Sequence, residues 1–193
     1  MCIRDRGAPS RSPAEGSLPA RGAPSRSPAE GSTLDDYSVL LTTGDHALLR
    51  PATVERFVAA AAAADAHAVA GLVRHACVMR RFPGTRRTAL RFREGSYCAT
   101  NLFLLREPRA RRAVRFWAEV QRDRKRPWRI ARRLGPGTLA RYLCGRLAIV
   151  DAFAVLSRAA GCAVSWVEID DELAAVDVDT VQDLALAERV LAC

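Results

Sequence analysis

Apolar and polar positions change period several times along this chain, and the changes mark out its elements. Tyr37, Val39, Leu40 and Leu41 form a short, nearly continuous apolar run, the pattern of a strand buried on both faces. Pro51 opens an alanine-rich stretch to about Ala64, whose intrinsic helicity is high. A second apolar strand is expected over Ala68–Val73, completing a strand, helix, strand unit of the kind that builds parallel sheets. A short helix is expected around Ala76–Phe82. Thr88–Arg93 then alternates apolar and charged residues like a half-exposed strand, and Glu94, Gly95 and Ser96 turn it into the apolar strand Cys98–Leu105. Helical patterning dominates from Pro108 to about Ala160. Val164–Ile169 and Ala174–Val178 read as strands and Val181–Leu191 as a last helix.

The first 33 residues have no such period. RGAPSRSPAEGS occurs twice without change, at 6–17 and 21–32. A segment so poor in apolar residues would cost about 1–2 kcal/mol per residue to order, with little to bury in return, so it is expected to be a disordered tail. The opening MCIRDR is similar to translated sequencing adapter, so an artefact of assembly is the expectation for this tail. One domain over 34–193, with a helical insertion over 108–160, is the organisation that the length supports.

Composition changes the picture in one place. The chain carries a formal charge of +9, and residues 106–133 contribute all of it: eleven arginines and Lys125 stand there against Glu107, Glu119 and Asp123. Read as a helix from about Arg109, Ala110, Ala113, Val114, Trp117 and Val120 form a docking stripe and Arg111, Arg112, Arg115 and Arg122 a solvated basic face. Such a segment also suits a phosphorylated ligand or a peripheral contact with an anionic membrane. A nucleic-acid partner is not expected, because no helix-turn-helix, RRM or zinc-finger pattern accompanies it. Cys2, Cys77, Cys98, Cys144, Cys162 and Cys193 have no zinc-site spacing and read as isolated buried thiols. With no apolar run of membrane-spanning length and no hydrophobic amino-terminal segment, a cytoplasmic location is expected.

Candidate chemistry lies where strands end. VLLTTGDHALL, residues 39–49, presents Asp45 and His46 just after a strand, where open α/β sheets bind ligands. AAVDVDTVQDLALAERVL, residues 174–191, places Asp177 and Asp179 two residues apart, with Thr180 and Asp183 at capping-box spacing. Either set could instead serve only a turn or a helix cap. EGSYCATNLFLLR, residues 94–106, carries Asn101 inside an apolar strand, where its amide needs a partner or a ligand.

These three strings resemble the MobA-like NTP transferases, of GT-A type, over about residues 37–192. The first is similar to the family's taDhPLL element, with Ala47 in place of the usual proline. The second resembles DIDTPEDLALAE, and the third the strand lining the acceptor pocket. The resemblance implies a three-layer α/β fold on a mixed, mostly parallel sheet, lacking its first strand or strands. It implies an enzyme that transfers a nucleoside monophosphate from an NTP to a phosphorylated small-molecule acceptor and releases pyrophosphate. Mg2+ would be held by Asp45 and Asp179, which carry the catalysis, with Asp177 a weaker ligand; Asn101, Thr100 and Tyr97 would meet substrate. The family's glycine-rich triphosphate loop has no counterpart before Asp45, so the chain as written is expected to be nearly inactive. A non-catalytic module for a phosphorylated or anionic-lipid ligand, or a GT-A glycosyltransferase, is the alternative; the Asp-x-Asp pair usual in the latter is absent at Asp45.

Overall fold

The computed structural model describes residues 38–106, 108–123 and 127–192, the side chains at 127, 130 and 131 excepted. The expected tail over 1–33, Leu34 and Tyr37, Glu107, and Arg124, Lys125 and Arg126 lie outside the described residues. The chain is α/β. In order come β1 (Ser38–Leu41), α1 (Pro51–Ala63), β2 (Ala68–Arg74), α2 (His75–Arg81), β3 (Leu90–Phe92) and β4 (Gly95–Arg106). Then follow α3 (Ala110–Asp123), α4 (Pro127–Leu134), α5 (Pro136–Leu143), α6 (Ile149–Ala160), β5 (Val164–Glu168), a 3-10 turn (Glu172–Ala175) and α7 (Val181–Leu191).

The sheet has the order β1-β4-β2-β5, with β3 also on β4. Helices cover both faces. On one, Val69 and Val73 of β2 with Cys98, Leu102 and Leu104 of β4 pack against Phe57 and Ala61 of α1, Ala187 of α7 and Leu173–Val176. On the other, Leu72 and Tyr97 meet Ile149 and Phe153 of α6, where Phe153 and Trp166 stack at 4.9 Å. Alternation along β2 sends successive side chains to opposite layers, which makes this a three-layer domain. Pro51 begins α1, and Thr53, Phe57 and Ala61 recur along its buried stripe.

Two expectations about the sheet are corrected. It is not mostly parallel: β2 and β5 alone pair in parallel, whereas β1, β2 and β3 each pair antiparallel with β4. The chain reverses at Glu94–Gly95, and the twelve residues of β4 insert between β1 and β2, separating the strands of the first strand, helix, strand unit. Nor is β1 buried on both faces. Val39, Leu40 and Leu41 are exposed, Val39 at 54%, on a strand at the edge of the sheet that pairs with β4.

Smaller differences follow from local geometry. Ala174–Val178 do not form the expected strand: the 3-10 turn takes Ala174 and Ala175, and Val178 makes a backbone bond to Asp45. The docking face of α3 is turned from the expected one, with Val114 and Trp117 exposed and Phe116 half-buried. Cys77, Cys98, Cys144 and Cys162 are free thiols, and Cys144, expected buried, is exposed. Among the described residues no helix is long and apolar enough to cross a membrane.

Gly71 is where β2 and β4 change register, from Ala70↔Phe103 to Leu72↔Ala99. A Cβ there would stand 2.5 Å from the Thr100 hydroxyl and 2.7 Å from Ile169 Cδ1, so the close approach requires glycine.

Asp171, 2% exposed, locks the foot of α1 to the 3-10 turn. Its carboxylate accepts from the Thr53 hydroxyl, from Arg50 Nη2 at 2.9 Å and from the Leu173 N–H at 3.2 Å. Burial pushes this carboxyl up, but the bonds from Thr53 and Arg50 outweigh it and hold it below its ordinary value. A depressed folded value adds stability that is present above the unfolded value of about 3.9 and lost as pH falls through the folded one. Asp171→Asn is therefore expected to cost about 1–3 kcal/mol at neutral pH and to flatten the loss of stability below about pH 4, as read by urea unfolding across pH.

Candidate metal and substrate site

The insertion of β4 creates the site. One edge of β4 is taken by β2, while its other edge carries β3 at Gly95–Tyr97 and β1 at Phe103–Arg106. Residues 98–102 have no strand on that second edge, and the loop leaving the carboxyl end of β1 turns there. At this point Asn101 takes a left-handed backbone, φ +52°, which asparagine tolerates better than most residues. Its amide nitrogen lies 3.4 Å from His46 Nε2.

Asp45, Asp177 and Asp179 are brought together here, with a carboxylate oxygen from each lying within 4.8 Å of the others. Backbone bonding explains the meeting: the Val178 N–H donates to the Asp45 carbonyl at 3.0 Å, so Val178 is tied to the β1 end and its two neighbours flank the contact. The Thr43 hydroxyl donates to the Asp45 carboxylate, and this bond above all holds Asp45 below its ordinary value and ionised at neutral pH. Burial lowers His46, against the pull of Asp177 and Asp45, so its ring is neutral at neutral pH. Its Nδ1 is buried without a partner among the described residues.

Capping of α7 is carried out by other groups. Asp183 N–H donates to the Thr180 hydroxyl at 3.2 Å, and Thr180 N–H to the Asp183 carboxylate at 3.0 Å, a reciprocal capping box. The exposed Asp179 carboxylate makes no hydrogen bond or ion pair among the described residues, so the helix start does not use it.

The residue that sequence reasoning missed is Arg87, from the loop before β3. Its side chain is only 7% exposed; Nη1 pairs with the Asp177 carboxylate and donates to the Asp177 carbonyl at 3.0 Å, while Nη2 reaches Asp183 Oδ1 at 2.5 Å. One guanidinium thus spans the acidic cluster and the start of α7. Burial pushes Asp183 up, but Thr180 and Arg87 together bring it below its ordinary value. The signal available was slight: one arginine among many, in a loop with Pro83 and Gly84, facing carboxylates about ninety residues away.

Thr100 and Tyr97 lie outside the cluster. Thr100 is fully buried and donates to the Gly71 carbonyl at 2.9 Å; Tyr97 packs on the α6 face with its ring 6.2 Å from Phe92. Glu168 and Arg74 form a bidentate pair at the ends of β5 and β2, with Asp170–Glu172 beside them lining a shallow pocket.

No protein-family model and no curated protein sequence matches the chain. Among solved structures it is similar to a hypothetical transferase from Thermus thermophilus, at 36% identity and a TM-score of 0.69. The likeness covers 77% of this chain and 64% of that one, so the chain spans less than two thirds of the Thermus protein's length. The two share their α/β fold.

Proposed function

We propose that this chain belongs to a transferase that moves a nucleoside monophosphate from an NTP onto a phosphorylated small-molecule acceptor, releasing pyrophosphate. The observation that carries the proposal is the meeting of Asp45 with Asp177 and Asp179 beyond the carboxyl end of β1. The Thermus protein's description as a hypothetical transferase supports the broader class.

The donor set fits Mg2+, a hard cation that favours oxygen ligands and takes only one or two carboxylates beside phosphate oxygens and water. Asp45 and Asp179 would hold it, with Asp177 already engaged by Arg87 and free to give one further oxygen. Bound there, the ion would screen the triphosphate and stabilise the charge that develops during in-line attack at the α-phosphorus. An acceptor phosphate oxygen forms the new bond to phosphorus as the bond to pyrophosphate breaks, and no side-chain nucleophile is needed. The chain's own residues position: Thr43 keeps Asp45 an anion, Arg87 fixes Asp177, and neutral His46 orients the Asn101 amide at the open edge of β4.

The test incubates the full chain with Mg2+, each common NTP in turn and a panel of sugar and polyol phosphates, following both binding and products. The proposal expects magnesium-dependent binding of NTP, and any turnover, however slow, to release one pyrophosphate per nucleotide-linked product. Release of nucleoside diphosphate from an added sugar nucleotide, as its sugar is transferred to the acceptor, would replace it with glycosyl transfer. Failure to bind Mg2+ alone and Mg–NTP together would remove its basis.

A further inference from the structure

Helix α3 is amphipathic twice over, and the packing of the fold uses only one of its faces. Ala110, Ala113, Phe116 and Val120 turn inward, towards β4 and α6. Val114 and Trp117, one turn apart, stand in solvent at 42% and 52% exposure, and Arg111, Arg115 and Arg122 line the adjoining outward stripe at helical spacing. Both acids of the helix are spent internally, since Arg133 pairs with Glu119 and Arg129 with Asp123 at 3.1 Å. Arg111, Arg115 and Arg122 consequently meet no carboxylate among the described residues. The neighbouring α4 repeats the combination: Trp128 is 58% exposed, with the guanidinium of Arg129 at 5.2 Å and that of Arg132 at 6.0 Å from its ring centre.

We propose that the outward faces of α3 and α4 form a docking surface for an anionic phospholipid bilayer. Charge complementarity commits the surface to an anionic partner, because three guanidinium groups with no carboxylate partner among the described residues share one helix face. The choice of a bilayer rests on Val114 and Trp117 beside those arginines. An apolar stripe gains from entering the headgroup and acyl boundary, tryptophan favours that depth, and arginine keeps its charge at the phosphates above it. Nucleic acid would engage the arginines and could stack on the tryptophans, but it gives Val114 nothing apolar to enter. The surface does not depend on the acidic cluster, so the two proposals stand or fall separately.

The full chain is mixed with vesicles of phosphatidylglycerol or of phosphatidylcholine and sedimented. The expected result is co-sedimentation with the former alone, weakening as salt rises, with tryptophan emission that shifts to the blue and is quenched by lipids brominated on the acyl chain. Arg111→Ala, Arg115→Ala and Arg122→Ala together are expected to weaken binding about 100-fold, and Trp117→Ala about 10-fold. All four positions are exposed, and a far-ultraviolet circular dichroism spectrum checks that each variant is folded. Absence of binding to phosphatidylglycerol, binding unchanged in the triple arginine variant, or emission untouched by brominated chains would each overturn the proposal. Tighter binding to RNA than to the vesicles would do the same, and would assign the surface to nucleic acid.

Discussion

Arg87→Met is expected to cost about 3–5 kcal/mol of stability, because it strands the Asp177 and Asp183 carboxylates beside one another without their shared cation. In a domain of this size that corresponds to a fall in Tm of roughly 6–20 °C. Methionine fills a similar volume, so the loss is electrostatic rather than a cavity effect. A second outcome distinguishes a structural clamp from one that also serves the acidic cluster. Any ion that binds the folded state stabilises it by mass action. In the variant a divalent cation would neutralise an Asp177 that nothing else neutralises, so millimolar Mg2+ is expected to raise the Tm of Arg87→Met more than that of the unmodified chain. Equal shifts in the two proteins would confine Arg87 to holding α7 in place.

The second large effect has the opposite sign in the absence of metal. Three carboxylates drawn within 4.8 Å repel one another, and a binding site commonly stores instability of this kind. Asp179→Asn, at an exposed position outside the α7 cap, is expected to raise the metal-free Tm by about 1–3 °C. It is also expected to weaken Mg2+ binding by at least about 10-fold and so remove most of the stabilisation by the ion. Asp45→Asn should lose the ion in the same way with less gain in metal-free stability, since Thr43 already helps to hold the native carboxylate ionised. A drop in metal-free stability for Asp179→Asn would show that its carboxylate has a structural task that the observed contacts do not include.

How much of this was legible in the sequence depends on the range of the interaction. Elements dictated by local chemistry fell where expected: Pro51 starts α1, the Thr180–Asp183 box starts α7, and the turn at Glu94–Gly95 separates β3 from β4. Strand adjacency did not, because nothing local tells β4 to insert between β1 and β2 rather than join an edge. The rotation of α3 was ambiguous for a physical reason. Ala110, Ala113 and Val120 belong to either apolar stripe, and packing chose Phe116 over Val114 and Trp117 as the fourth member. Of the site, the aspartates were visible as strand-end carboxylates in two distant strings, whereas Arg87 and the left-handed turn at Asn101 exist only once β3, β4 and the 176–179 segment are side by side.

Manganese binding followed by electron paramagnetic resonance tests the central claim, that Asp45, Asp177 and Asp179 make one divalent-cation site. Free Mn2+ is titrated against the full chain and against the double variant Asp45→Asn, Asp179→Asn, with Mg2+ as competitor. The account predicts one saturable ion per chain, displaced by Mg2+ and lost in the double variant while the circular dichroism spectrum is unchanged. Saturable binding that is the same in both proteins, or no binding to the unmodified chain, would contradict it.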